Sequence, residues 1–351
     1  MKSMVAVVMV CGLSVAVPAS AQLGGLGNAV KKGQQAKDTV DALTISDAEE
    51  KQIGSDISAK LRDKYGVVQD KAVHKYVTLV GTVLAQQSSR PNLDWTFIVL
   101  DTDGVNAFAA PGGFIHITRG ALALIQNEAE LADVLGHEIS HVTEKHTINA
   151  IKKEKMVSAG ASATRNQLLQ QVANAGYSMV LENHYDRTQE KDADRLGVTL
   201  ANKAGYSPNG LGTFLTNLAA RDKDVKEPSG LFASHPETQD RVDTLAKLIA
   251  AQKLSATAMV AARYHSSIAF KPAAVGAIGV YTPPSSSGGS KLGLSGMNAL
   301  GNEKSSNQTI ASAGSRGVNP DRDATGGPNK SIVVVTVTAA EVTEFRKGIS
   351  G

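Results

Sequence analysis

The stretch Asn127-Glu128-Ala129-Glu130-Leu131-Ala132-Asp133-Val134-Leu135-Gly136-His137-Glu138-Ile139-Ser140-His141-Val142 organises the rest of the chain. Asn127 is a good helix N-cap and Glu130 stands at the third helical position, the spacing of a capping box. A helix is therefore expected from Asn127 to about Lys145. Leu131, Val134, Leu135, Ile139 and Val142 leave it little polar circumference, which places it in the interior. Residues four apart lie one above the other on a helix, so His137 and His141 can aim both imidazoles at one point. Two neutral imidazoles suit a zinc ion, and Glu138 stands where it can act on a water bound there. Two histidines and a glutamate on an otherwise apolar helix would be costly without such a purpose.

The N-terminus reads as an export signal. Lys2 supplies a small positive region, Val5 to Val17 is an apolar run too short to span a membrane, and Ala19-Ser20-Ala21 offers a cleavage site before Gln22. Residues 1–21 are expected to be removed. Cys11, the only cysteine, goes with them, so neither disulfides nor thiolate metal ligands are expected. The whole chain carries 36 basic and 33 acidic residues, and the signal takes away only Lys2. That near balance gives no reason to expect a nucleic-acid partner. No later stretch is apolar enough for a transmembrane helix.

Residues 22–45 read as a spacer, and 46–252 as the main domain. Ser46-Asp47-Ala48-Glu49 is a capping box opening a helix to about Tyr65, where Gly66 stops it. A second helix is expected over 70–87, with His74 at its surface or edge. Leu93 to Leu100 alternates like a strand. Asn106-Ala107-Phe108-Ala109-Ala110-Pro111-Gly112-Gly113 then leads into a short strand over Phe114 to Thr118. Such a strand can sit at a sheet edge and pair with an extended peptide through its backbone, which makes Asn106, Gly113, Phe114, Ile115 and His116 candidate substrate contacts. The His116 side chain is expected to face solvent. Lys152 to Arg165 reads as a mobile surface segment, and Asn166 to about Ala204 as helical. Gly205 to Pro208 ends that helix, with Ser207 a candidate cap for the next, and a further helix is expected from Glu237 to Gln252. The fold class is α+β: mainly helical, with a small sheet.

Residues 253–351 form a different C-terminal region. Thr282 to Gly327 is dense in Ser, Gly, Asn and Pro and reads as a loose linker. Ser331 to Thr338 reads as a strand, able to pair with strand material in 256–281, and Thr338 to Glu341 as a capping box for a last short helix.

Two histidines do not complete a catalytic zinc site, which takes three protein ligands and keeps a position for water. His146 is a poor third ligand: the extended H-E-x-x-H-x-x-G-x-x-H pattern needs Gly at 144 and His at 147, where this chain has Glu144 and Thr147. His146 is expected instead to pack against or cap the end of the helix. In Tyr185 to Gly197, Glu190 and Asp194 share a helix face. Glu190 can complete a His-His-Glu site while Asp194 accepts the free N–H of a ligand imidazole. The plain alternative is a solvated, charge-rich helix face.

Taken in order, Asn106-Ala107-Phe108-Ala109-x-Pro111-Gly112-Gly113, Leu131 to His141, Glu190-x-x-Ala193-Asp194-x-x-Gly197 and Ser234-His235-Pro236 with Arg241 resemble the HtpX and CAAX-prenyl-endopeptidase family of zinc metallopeptidases, and most of all its exported bacterial members. The resemblance covers roughly Ser46 to Ala250. It implies a zincin-like, gluzincin metalloprotease domain, one zinc ion held by His137, His141 and Glu190, Glu138 as the catalytic acid–base group, and a periplasmic location, in solution or peripherally on a membrane. A second donor for the oxyanion is also needed. His235 is the nearest candidate, with His184, Tyr185 and Arg187 as others. His235 has a second candidate role, as a fourth ligand that holds the site inactive; its plain alternative is a loop histidine before a proline. The substrates implied are polypeptides, misfolded or misassembled envelope proteins among them. A competing reading makes the chain a largely latent protease that serves envelope assembly machinery as a chaperone-like factor. A structural zinc site fits less well, since such sites fill all four positions.

Overall fold

In the computed structural model, the described residues are 44–153, 164–181, 185–221, 238–273 and 328–349. The expected export signal, most of the spacer and of the 152–165 segment, His184, the His235 loop and the 282–327 linker lie outside them. Helix α1 (Asp47–Tyr65) starts at the Ser46–Glu49 capping box and stops at Gly66. Helix α2 (Lys71–Ala85) is capped by the Asp70 carboxylate, which accepts from the N–H groups of Ala72 and Val73. Three short strands follow: β1 (Thr96–Leu100), β2 (Ala107–Ala110) and β3 (Phe114–Thr118). Between β2 and β3, Pro111–Gly113 make a single 3₁₀ turn. Gly112 needs its freedom there: its φ is +74°, and a Cβ would lie 2.5 Å from the Lys51 Cα.

The strand order is β1-β3-β2, with β3 parallel to β1 and antiparallel to β2. This corrects the expectation for Phe114 to Thr118, because β3 is the middle strand and its backbone is occupied on both sides. The edge strands are β1 and β2, the latter concealed by its alanine-rich sequence. His116 is also corrected. Its side chain is fully buried and its Nε2 lies 2.9 Å from the Ser58 Oγ of α1. His74 is equally buried, with Nε2 2.8 Å from the Val68 carbonyl oxygen.

Helix α3 (Arg119–Leu124) leads to α4 (Glu128–Thr143), which carries His137 and His141. The Asn127 side chain accepts from the Glu130 N–H at 3.0 Å and donates to Glu130 Oε1 at 2.8 Å, the expected start. Only Thr143 of its sixteen residues escapes burial. Lys145, at φ +53°, turns the chain back into α5 (His146–Lys153). The single long helix considered over 166–204 is two: α6 (Arg165–Leu181) and α7 (Arg187–Ala204), the latter opened by an Asp186–Gln189 capping box. Gly205 ends α7 in the left-handed conformation. Next come α8 (Gly210–Arg221), which begins two residues later than a cap at Ser207 would start it, α9 (Thr238–Gln252), α10 (Ala261–Ser267) and α11 (Ala339–Lys347).

The described C-terminal residues share the main core: Tyr264, Ile268, Val342 and Ile349 are buried in it with residues of α2 and α4. Ser331 to Thr338 is corrected from a strand to extended chain outside any ladder, and residues 261–267 are helical rather than strand material. What holds the tail is side-chain contact. Arg263 forms an ion pair with Glu128, donates to the Phe345 carbonyl at 3.0 Å and lies 3.9 Å over the Phe345 ring. The Thr338–Glu341 capping box forms as expected. Among the described residues, no helix is long and apolar enough to cross a membrane.

Candidate active site

Helices α4 and α7 make the most extensive helix pairing in the described chain, and they cross on two glycines. A Cβ on Gly136 would lie 2.7 Å from the Gly197 carbonyl oxygen, and a Cβ on Gly197 would lie 2.6 Å from the His137 nitrogen. The crossing sets one face of α7 against the histidine face of α4. His137 Nε2 and His141 Nε2 face each other at 3.0 Å. Glu190 presents Oε2 at 3.7 Å from the first and Oε1 at 3.4 Å from the second. One ligand atom from each of the three lies within 4.8 Å of the others, and all three residues are buried.

These residues fit a metal ion. A tetrahedral ion with metal–nitrogen bonds of about 2.0–2.1 Å separates two nitrogen ligands by roughly 3.3 Å, close to the spacing found. The outer ring nitrogens are engaged elsewhere. His137 Nδ1 lies 2.9 Å from Asp194 Oδ1, and His141 Nδ1 lies 2.9 Å from His146 Nδ1. Both Nε2 atoms are thereby turned to the common point. Burial works against the Asp194 charge, but the Arg241 guanidinium outweighs that and, with the His137 hydrogen bond, holds its pKa down at about 2.

Arg241 enters from α9. It donates Nε to Asp194 Oδ2 at 2.9 Å and Nη2 to Oδ1 at 2.6 Å, and its Nη1 lies 3.3 Å from Glu190 Oε2. One buried cation therefore serves two buried carboxylates, which raise its pKa despite its desolvation; the Glu138 charge adds to the effect. The sequence put Arg241 in the motif series without a role. Its partner could be found only once α9 was packed on α7.

Tyr185, a candidate oxyanion donor, is packed against the site. Its hydroxyl lies 2.9 Å from the Thr147 Oγ1 and its ring stacks on His141 at 4.0 Å. Burial pushes the phenol pKa up. Arg187 lines a cavity of about 250 Å³ with Glu190, Lys191, Asp194 and Arg241, beside the cluster. Glu138, adjoining His137 on α4, is buried. Of the candidate substrate contacts, Asn106 uses its Oδ1 to accept the Ala107 N–H at 2.8 Å, Gly113 lies at the turn with φ +101°, and Phe114, Ile115 and His116 are enclosed on β3. Asp133 was missed. One turn before His137 on α4, it accepts the Leu211 N–H at 2.9 Å and so caps α8 from outside its own helix.

Two imidazoles and a carboxylate converging from crossed helices, with a glutamate beside the first imidazole, define the site of a metal-dependent hydrolase of the H-E-x-x-H kind. The chain belongs to Peptidase family M48, whose pattern matches residues 71–249. It is 29% identical over 216 residues to a protein of Vibrio cholerae named putative beta-barrel assembly-enhancing protease, covering 58% of this chain and 45% of that one. The beta-barrel assembly-enhancing protease of Escherichia coli is 25% identical over 214 residues, covering 57% and 43%. Metalloprotease LoiP of Escherichia coli is 26% identical over 243 residues, covering 65% and 92%. The matched region thus spans less than half of the first two proteins' length.

Proposed function

We propose that this chain is an exported zinc endopeptidase of the bacterial envelope, acting on misfolded or misassembled polypeptides. The observation that carries the reading is the convergence of His137, His141 and Glu190 at one buried point with Glu138 adjoining. A zinc ion there would supply Lewis-acid polarisation of the scissile carbonyl and activation of water. His137, His141 and Glu190 would hold the ion, with Asp194 behind the His137 ring. Glu138 takes a proton from the attacking water onto its carboxylate and returns it to the leaving amine. Asp194 remains ionised throughout, since Arg241 stabilises its charge.

Because β3 is enclosed, an extended substrate is left with the edge strands β1 and β2, and β2 is the one that packs against α4. Main-chain pairing is indifferent to side chains, which suits a protease that accepts many sequences. The finer likeness to the HtpX and CAAX-prenyl-endopeptidase members rests on the motif order and remains part of this proposal. So does His235, outside the described residues, as an oxyanion donor or an inhibitory fourth ligand.

Two of the relatives carry beta-barrel assembly in their names, which supports a second reading in which the chain also assists envelope assembly; in that reading its protease is largely latent. Glu138→Gln separates the two. On the protease reading the variant keeps one zinc per chain and loses hydrolysis of unfolded casein by ~100-fold or more, the range for a lost general base. Full hydrolysis by the variant removes Glu138 from the mechanism. A wild type that binds zinc and hydrolyses nothing supports the latent form.

A further inference from the structure

The supports behind the two histidines are unlike. His137 has an anion behind it, Asp194, but His141 has another imidazole, His146, at 2.9 Å between Nδ1 atoms. Metal-binding histidines almost always donate their outer N–H to a carboxylate, a backbone carbonyl or water, so an imidazole acceptor is a departure. Two facing ring nitrogens form a hydrogen bond only when one of them carries the proton. With the proton on His141 Nδ1, its Nε2 lone pair points at the common centre. With it on His146 Nδ1, a neutral His141 holds its own proton on Nε2, and that N–H blocks the metal position.

We propose that His146 is a positioning residue that selects the metal-binding tautomer of His141 by accepting its Nδ1 proton. The proposal rests on the reading that His137, His141 and Glu190 hold a metal ion. The surroundings hold His146 in place for this. Lys145, in the left-handed turn at φ +53°, brings the chain back beneath α4, and its Nζ lies 2.9 Å from the buried Glu50 carboxylate. Gln189 of α7 donates to the His146 carbonyl at 3.2 Å. Tyr185 covers the face of the His141 ring, leaving its Nδ1 edge to His146. His146 itself is 5% exposed, so water does not compete freely for the contact.

The test compares full-length wild type, His146→Phe and His146→Asn by zinc competition against a chelator, with thermal unfolding of each metal-free protein. The Asn side-chain oxygen can stand where Nδ1 stands. His146→Phe is expected to weaken zinc binding ~10- to 100-fold, the range for a lost outer partner, while His146→Asn stays within about threefold of wild type. Equal affinity for wild type and the Phe variant overturns the proposal. So does an Asn variant as weak as the Phe variant, which would make His146 a packing residue. Should the Phe variant not fold, ring nitrogen-15 spectra of the metal-free wild type decide. The proton must be on Nδ1 of His141 and on Nε2 of His146, and the reverse overturns the proposal. A wild type that takes up no zinc overturns the metal reading and this proposal together.

Discussion

Gly136 and Gly197 meet backbone to backbone, with no room for a methyl group on either. This contact, one residue from His137, lets α4 and α7 approach closely enough for Glu190 to reach two imidazoles carried by the other helix. Gly197→Ala is therefore expected to push the helices apart. Overpacking of this kind costs about 1–3 kcal/mol. Zinc content should fall along with stability, as metal analysis and urea unfolding would read. Full zinc occupancy in a well-folded variant would mean that the crossing does not set the site.

Glu190→Ala removes one of the three proposed ligands without touching the Gly136–Gly197 contact. Zinc should be lost while the helical far-UV spectrum stays that of wild type. Retained stoichiometric zinc would place the third ligand elsewhere.

Arg241→Leu takes the guanidinium away from two buried carboxylates, Asp194 and Glu190. Removing one partner of a buried ion pair costs about 3–5 kcal/mol. Urea unfolding of the metal-free protein at neutral pH should show that loss, and adding Asp194→Asn should recover part of it. Stability unchanged in the single variant would mean that the Arg241 contacts in the folded protein contribute nothing net.

Burial, helped by the Arg62 charge, lowers the His116 pKa to about 3, whereas in an unfolded chain histidine titrates near 6.5. Between those values the unfolded chain binds the extra proton. The stabilising contribution is complete above about pH 6.5 and declines by about 1.4 kcal/mol per pH unit as the solution is acidified towards 3. Asp133, whose pKa burial raises, acts in the opposite direction, so the whole-protein profile mixes the two. The slope for wild type minus that for His116→Phe isolates the histidine. Parallel profiles would contradict the assignment.

Arg263 joins the tail to the start of the α4 helix through Glu128 and Phe345. The Lys75–Glu341 pair, both partners more than a third exposed, should matter little by comparison. Arg263→Ala is expected to speed amide exchange across 339–347, and Lys75→Ala to leave it near wild type. Equal effects would show that the tail is held by something other than the Arg263 contacts.

Local chemistry in the sequence determined the helix starts at Ser46, Asp70, Asn127 and Thr338, because a cap is a contact among residues two or three apart. It also determined the metal centre as a candidate, since helical spacing alone superposes His137 on His141 and Glu190 on Asp194. The likeness of motif order carried the same four residues to a family of metallopeptidases. Tertiary structure decided whatever depends on partners distant in the chain. Strand order made β3 the middle strand and closed the edge where a peptide was expected, because a strand's neighbours are not written in its own alternation. His74 and His116 are buried because the Val68 carbonyl and Ser58 hydroxyl meet them, and polar side chains go inside only where such a partner waits. Arg241, His146 and Asp133 gained their positions in the same way. Each is an ordinary residue by its neighbours in sequence, and each was made specific by a contact that only the packed helices supply.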